Sequence, residues 1–371
     1  MEFIYDFGLF LLKSITIVVA ILVVIGGIVS SSQRGKTAKS KGHTQGSIKL
    51  TNLTDRYKDM VLDLQQDLLT KFETKELIKA EKKADKIKTK EEKIKAKALK
   101  NSLSKDETDA EKLAEKVEDS HKRLFVLNFN GDMKASGVNS LREEISAIIA
   151  IAGKQDEVLL RLESPGGMVH SYGLAASQLQ RLRDKKINLT IAVDMVAASG
   201  GYMMACVANK IVAAPFAIIG SIGVIAQIPN FNRLMKKMDV DYEQHTAGEY
   251  KRTLTLFGEN TDQDREKFRE ELEETHQLFK SFITDNRPEL DVEKVATGEH
   301  WYGTQAIEKG LIDEVSTSDD LILNAVKDTE VFEVNFEIPK SLGEKFGLGA
   351  EAAFNRFVMS WWQSSEHGPK L

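Results

Sequence analysis

Residues 124–129, 158–162 and 187–193 form three short apolar runs, separated by stretches (140–152 and 171–185) whose apolar residues recur every three or four positions. Short aliphatic runs read as strands buried on both faces, and the periodic stretches between them as helices with one apolar side. Strand–helix–strand alternation joins parallel neighbours by crossovers, so the chain is expected to form an α/β domain with a mainly parallel sheet. Residues 211–214 and 222–226 continue the series as later strands, and 261–285 as an acidic helix.

The chemistry-bearing residues sit on this framework. Ser199 opens Ser199-Gly200-Gly201-Tyr202, with small and apolar residues over 191–198 before it and an apolar run over 202–207 after it. That pattern predicts a buried strand, a glycine-assisted turn and a buried helix. Ser199 then stands at a helix start, where unpaired N–H groups favour a developing negative charge. Lys251 follows 52 positions later (251 − 199) in Gly248-Glu249-Tyr250-Lys251-Arg252, and Gly166-Gly167 follows Pro165 upstream. A serine hydroxyl is a poor nucleophile until a base takes its proton, and a lysine made neutral by burial can do so. Taken singly, each feature has a plainer reading: a helix cap for Ser199, a solvated charge for Lys251, a turn for the glycines.

Ser221 is the rival nucleophile, but Gly220-Ser221-Ile222-Gly223 lacks the Gly-x-Ser-x-Gly spacing of a nucleophile elbow. It reads as structure beside the site, with substrate-binding backbone at most. His170 and His245 lie near the motifs without a triad setting, and there is no His-Glu-x-x-His helix and no cysteine pair, so neither a metal nor a cofactor is expected.

Glu163-Ser164-Pro165-Gly166-Gly167, Ala198-Ser199-Gly200-Gly201-Tyr202 and Gly220-Ser221-Ile222-Gly223-Val224 together resemble the signal-peptide-peptidase A (protease IV) family of serine peptidases. Thr253-Leu254-Thr255 and Phe257-Gly258, after the lysine, look like its SohB-type membrane peptidases in particular. The resemblance covers residues 124–315 and closes on Gly310-Leu311-Ile312-Asp313. It implies Ser199 as nucleophile, Lys251 as general base, Gly166 and Gly167 as oxyanion-hole amides with Gly200 as a further donor, and no catalytic histidine. It also sharpens the fold to the stacked ββα spiral shared by Clp-type proteases and crotonases. By the same analogy the partners are peptide or protein substrates (signal peptides, or misfolded membrane and envelope proteins) and further copies of the chain in a closed homo-oligomer. Two other classes share features: a crotonase-type acyl-CoA enzyme, with no use for the dyad, and a catalytically idle membrane scaffold, indifferent to both residues.

Residues 14–33 carry no charge, and about 20 such residues span a hydrocarbon core. A cleaved signal peptide has a shorter apolar core and an Ala-x-Ala-like end, so residues 1–34 are expected to be a retained transmembrane helix that contacts membrane lipid. Residues 35–120 read as a charged, largely helical linker, free of glycine and proline from 55 onward. Its lysines are interleaved with acids and the chain is net −5, which argues against nucleic acid. Residues 121–330 form the expected catalytic domain, and 331–371 a C-terminal extension with an amphipathic aromatic stretch over 352–362. The single cysteine, Cys206, excludes an intrachain disulfide. The expected location is a bacterial inner membrane. Arg34, Lys36, Lys39 and Lys41 after the span place the bulk of the chain in the cytoplasm by the positive-inside tendency, whereas family analogy places it in the periplasm.

Overall fold

The computed structural model describes residues 46–70 and 122–338, with positions 72, 73, 79, 83, 86 and 90 between them. The chain divides into a compact unit, Ser47–Glu337, and a second made of Met1–Gly46 and Ile338–Leu371, which lies almost entirely outside the described residues. The expected anchor and the aromatic stretch at 352–362 fall there. Among the described residues no helix is long and apolar enough to cross a membrane.

Apolar runs become the strands β2 (Arg123–Asn130), β3 (Glu157–Glu163), β4 (Asn188–Val193) and β6 (Lys210–Ala213). They lie side by side and parallel in a seven-stranded sheet. Both faces of this sheet are covered, as the mainly apolar character of these strands requires. On one face pack α2 (Val138–Ile151), through Leu141, Ile145 and Ile148, and α3 (Val169–Asp184), through Tyr172, Leu179 and Leu182. On the other, Leu124, Val126, Leu159 and Ala192 meet Leu53 of α1 (Leu53–Leu68) and Ile322 of α9 (Ser318–Ala325). At one end β9 (Glu314–Val315) pairs with β6.

At the other end β10 (Glu330–Glu337) lies parallel to β2, and β1 (Ser47–Asn52) lies antiparallel to β10, from Ser47↔Glu337 to Asn52↔Phe332. The compact unit therefore extends beyond 121–330 on both sides. The Thr54 hydroxyl, at the start of α1, accepts the Val331 N–H at 2.9 Å and ties the helix to this sheet.

A second sheet is small: β5 (Val196–Ala198), β7 (Ile218–Gly220) and β8 (His300–Tyr302), with β5 and β7 parallel. Ser164 makes an isolated parallel bridge to Ala197 and so adds to it. Successive chain units thus give one strand to the large sheet and one short piece to the small sheet: β3 then Ser164, β4 then β5, β6 then β7. The strand expected at 222–226 does not form. Gly220 (φ +105°) and Ser221 (φ +50°) turn the backbone out of the extended region, and only Ile222 returns to the core. The helix expected at 261–285 is present as α6 (Asp262–Asn286), begun by a capping box between Thr261 and Asp264 and seated on the core by Phe279 and Ile283.

Candidate active site

β5 is buried at Ala197 and Ala198, and the next residue breaks its path: Ser199 has φ +52° and ψ −118°. Positive φ is costly for a residue with a Cβ, so such a conformation persists only where its surroundings impose it. Here they do. The Ser199 N–H donates to the Gly220 carbonyl at 2.8 Å, the Ala198 N–H to the Ser164 carbonyl at 3.0 Å, and the Ser199 carbonyl accepts the Met203 N–H at 3.0 Å. α4 (Gly200–Ala205) follows at once and is buried throughout. Ser199 therefore sits on a sharp strand-to-helix turn, as its flanking residues predicted. Among the described residues no side chain hydrogen-bonds its Oγ.

The glycines explain how three backbones meet. A Cβ on Gly166 (φ +87°) would stand 2.7 Å from the Ala198 carbonyl and 2.8 Å from both the Gly200 nitrogen and the Ser199 Cβ, so the Pro165–Gly167 turn lies directly against the Ser199 turn. A Cβ on Gly201 would stand 2.5 Å from the Ser164 carbonyl, and one on Gly200 2.5 Å from the Tyr172 ring. Gly167 packs on the Met133 backbone. Gly167, Val169, Ser199, Gly200, Met203 and Gly223 line one small cavity, closed on a further side by Phe279 of α6.

Three of the expected site residues, Ser199, Gly167 and Gly200, are thus brought together around a cavity, with Gly166 in contact behind them. The Gly166 amide is not aimed into it: its N–H donates inward to Ser164 Oγ at 3.1 Å. Gly200 carries the first amide of α4 and, like the first N–H groups of any helix, has no intrahelical acceptor.

Lys251 stands elsewhere. It is exposed, in the long connection between β7 and α6 that also holds α5 (Asn232–Lys237), and lines a groove with Tyr242, His245, Thr255 and Phe257. Its backbone N–H donates to Gly248 at 3.2 Å, and its ammonium makes no hydrogen bond or ion pair among the described residues. Neither contact with Ser199 nor burial is supplied to it by the chain around it. His245 faces Glu243 at 3.3 Å on the surface. Ser221 donates its N–H to the Glu299 carbonyl at 2.6 Å beside the site. Sequence reasoning missed Tyr172 and the Ser164 side chain; the only signal for either was the position of Ser164 next to Pro165 and of Tyr172 on the apolar face of α3.

Comparison with known proteins decides the family. The model of the peptidase family S49 N-terminal region matches residues 2–179, and that of peptidase family S49 matches residues 181–331. The chain belongs to peptidase family S49. It is 52% identical over 346 residues to the probable protease SohB of Haemophilus influenzae, covering 93% of this chain and 92% of that protein. A probable protease SohB of Buchnera aphidicola subsp. Schlechtendalia chinensis is 65% identical over 201 residues, 54% of this chain and 66% of that one. Among solved structures, 1510-N, a membrane-bound stomatin-specific protease in complex with a substrate peptide, is similar with a TM-score of 0.39 and 14% identity, covering 61% of this chain and 96% of that one. The family and SohB matches bear out the resemblance read from the motifs: an S49 peptidase, here with an α/β fold and a mixed sheet.

Proposed function

We propose that this S49 member is a membrane-anchored serine endopeptidase in which Ser199 is the nucleophile and Lys251 the general base. The geometry of Ser199 carries the reading: a positive-φ serine on a strand-to-helix turn, with a glycine turn packed against it and a cavity at its side. In this mechanism a neutral Lys251 amine takes the Ser199 proton as Oγ attacks the scissile carbonyl. The tetrahedral oxygen receives the Gly167 and Gly200 N–H groups, and the leaving amine takes the proton back from Lys251. Water then hydrolyses the acyl-enzyme. Gly166 serves by close approach, since its amide is engaged with Ser164. Pairing of one long-sheet strand with one short-sheet piece in each chain unit supports the Clp/crotonase-like ββα spiral.

Lys251 reaches Ser199 only if the connection between β7 and α6, from this chain or a neighbouring copy, closes over the cavity. That connection exposes Ile225, Phe231, Leu234 and Met238, an apolar surface suited to burial in a homo-oligomer. Peptides and proteins are the substrates, and the uncharged residues 14–33 supply the inner-membrane anchor. The test is covalent labelling of the full chain with a serine-reactive fluorophosphonate and mapping of the adduct. An adduct on Ser199 that disappears in Ser199→Ala supports the assignment; labelling that survives Ser199→Ala overturns it.

A further inference from the structure

Beside the Pro165–Gly167 turn two hydroxyl groups with no solvent exposure face each other: Ser164 Oγ and Tyr172 Oη, 2.6 Å apart. The direction of their hydrogen bonds follows from counting donors. Tyr172 has one proton, and it is donated to the Asp132 carbonyl at 2.8 Å. Ser164 must then donate its own proton to Tyr172 Oη, which leaves a lone pair of Ser164 Oγ to accept the Gly166 N–H at 3.1 Å. The result is a single directed chain, from the Gly166 amide through Ser164 and Tyr172 to the Asp132 carbonyl.

The chain is anchored at Asp132 and at Ser164. The Asp132 carboxylate fixes its own loop by accepting from Ser136 N–H at 2.8 Å, Ser136 Oγ at 2.7 Å and Lys134 N–H at 3.1 Å. Ser164 is tied by its backbone to Val196 and Ala198, the ends of the strand that leads into Ser199. Tyr172 also touches the nucleophile turn, because its ring occupies the space a Gly200 side chain would need. One side chain therefore contacts the nucleophile turn with its ring and steadies the glycine turn through its hydroxyl. Burial pushes the Tyr172 phenol above its ordinary value, which keeps this proton in place.

We propose that Ser164 and Tyr172 are positioning residues that hold the Pro165–Gly167 turn, and with it the Gly167 amide, in register with Ser199. The proposal rests on the serine-peptidase reading above. Neither hydroxyl is hydrogen-bonded to Ser199, so they act through the turn and not on the substrate.

Tyr172→Phe in the full chain tests it, since the ring stays against Gly200 and only the hydroxyl is lost. The rate of fluorophosphonate labelling of Ser199 should fall roughly 10²-fold, the cost expected when an oxyanion donor is misplaced by about 1 Å. For a fluorogenic peptide, kcat should fall by a similar factor with KM unchanged. Ser164→Ala should match this loss, and the double variant should be no worse than the poorer single, because the chain acts as one unit. A Tyr172→Phe protein that melts lower, yet labels Ser199 at the wild-type rate well below its melting temperature, would show a purely structural pair and overturn the proposal. If wild-type Ser199 takes no label, the serine-peptidase reading fails instead. Should Tyr172→Phe not fold, Ser164→Ala carries the same expectations.

Discussion

Gly166→Ala is the sharpest perturbation of the site's backbone. At φ +87° an L-residue is strained by ~1–2 kcal/mol. Its Cβ would stand 2.7 Å from the Ala198 carbonyl, against an ordinary contact distance of at least 3.4 Å, so the two turns must part by 0.7 Å (3.4 − 2.7). The atoms it would meet are backbone and the Cβ of Ser199 itself, with no flexible side chain to yield. Overpacking of this kind adds ~1–3 kcal/mol, for a sum of about 2–5 kcal/mol. At ~2–4 °C per kcal/mol for a domain near this size, a fall of roughly 10 °C in Tm is expected. A displacement approaching 1 Å at a nucleophile costs roughly 10²-fold in rate, so fluorophosphonate labelling of Ser199 should slow by about that factor at 25 °C, where the variant is still folded. Gly173→Ala is the control. It lies in α3 with nothing within 4 Å of the place its methyl would take, so it should raise stability by roughly 0.5–1 kcal/mol and leave labelling unchanged. Wild-type labelling by Gly166→Ala would refute the close approach of the two turns.

Two carboxyl groups, the buried Glu144 and the exposed Asp313, give pH signatures of opposite sign. Burial would raise the Asp313 carboxyl, but the Arg287 fork at 2.6 and 2.8 Å and the Ile211 N–H at 2.7 Å outweigh it and hold the group below its ordinary value. Its stabilisation is present above the unfolded carboxylate value of about 3.9 and is lost as pH falls through the folded one. Asp313→Asn should therefore be less stable than wild type at neutral pH in urea melts, with the gap closing in acid. Burial raises the Glu144 carboxyl, with the Phe336 N–H at 2.8 Å opposing it. Its contribution is fully present below the unfolded value of about 4.3 and declines as pH rises through the folded one. Glu144→Gln should consequently match wild type in acid and exceed it at neutral pH; equal stability throughout would contradict this.

Much of the central sheet was legible because its information is local. β2, β3 and β4 are mainly apolar runs, interrupted at Asn128, Arg161 and Thr190, and α2 and α3 repeat their buried residues at helical spacing. β1 was not legible: it is an edge strand with Ile48 and Leu50 exposed, and its partner β10 lies far along the chain. The Ser199 turn could be read from Gly200-Gly201 and the apolar flanks. The inward Gly166 amide could not, since it depends on where a buried Ser164 hydroxyl points. Lys251 stands out only by its motif, and nothing in its local sequence tells whether the chain will bury it.

The most direct test of the Ser199/Lys251 assignment is the pH dependence of Ser199 labelling in wild type, Lys251→Ala and Lys251→Arg. A lysine base acts only when neutral, so the wild-type rate should rise with pH. Arginine keeps the charge but cannot release its proton in this range, so Lys251→Arg should be as inactive as Lys251→Ala. A wild-type labelling rate in Lys251→Arg at neutral pH would contradict the account.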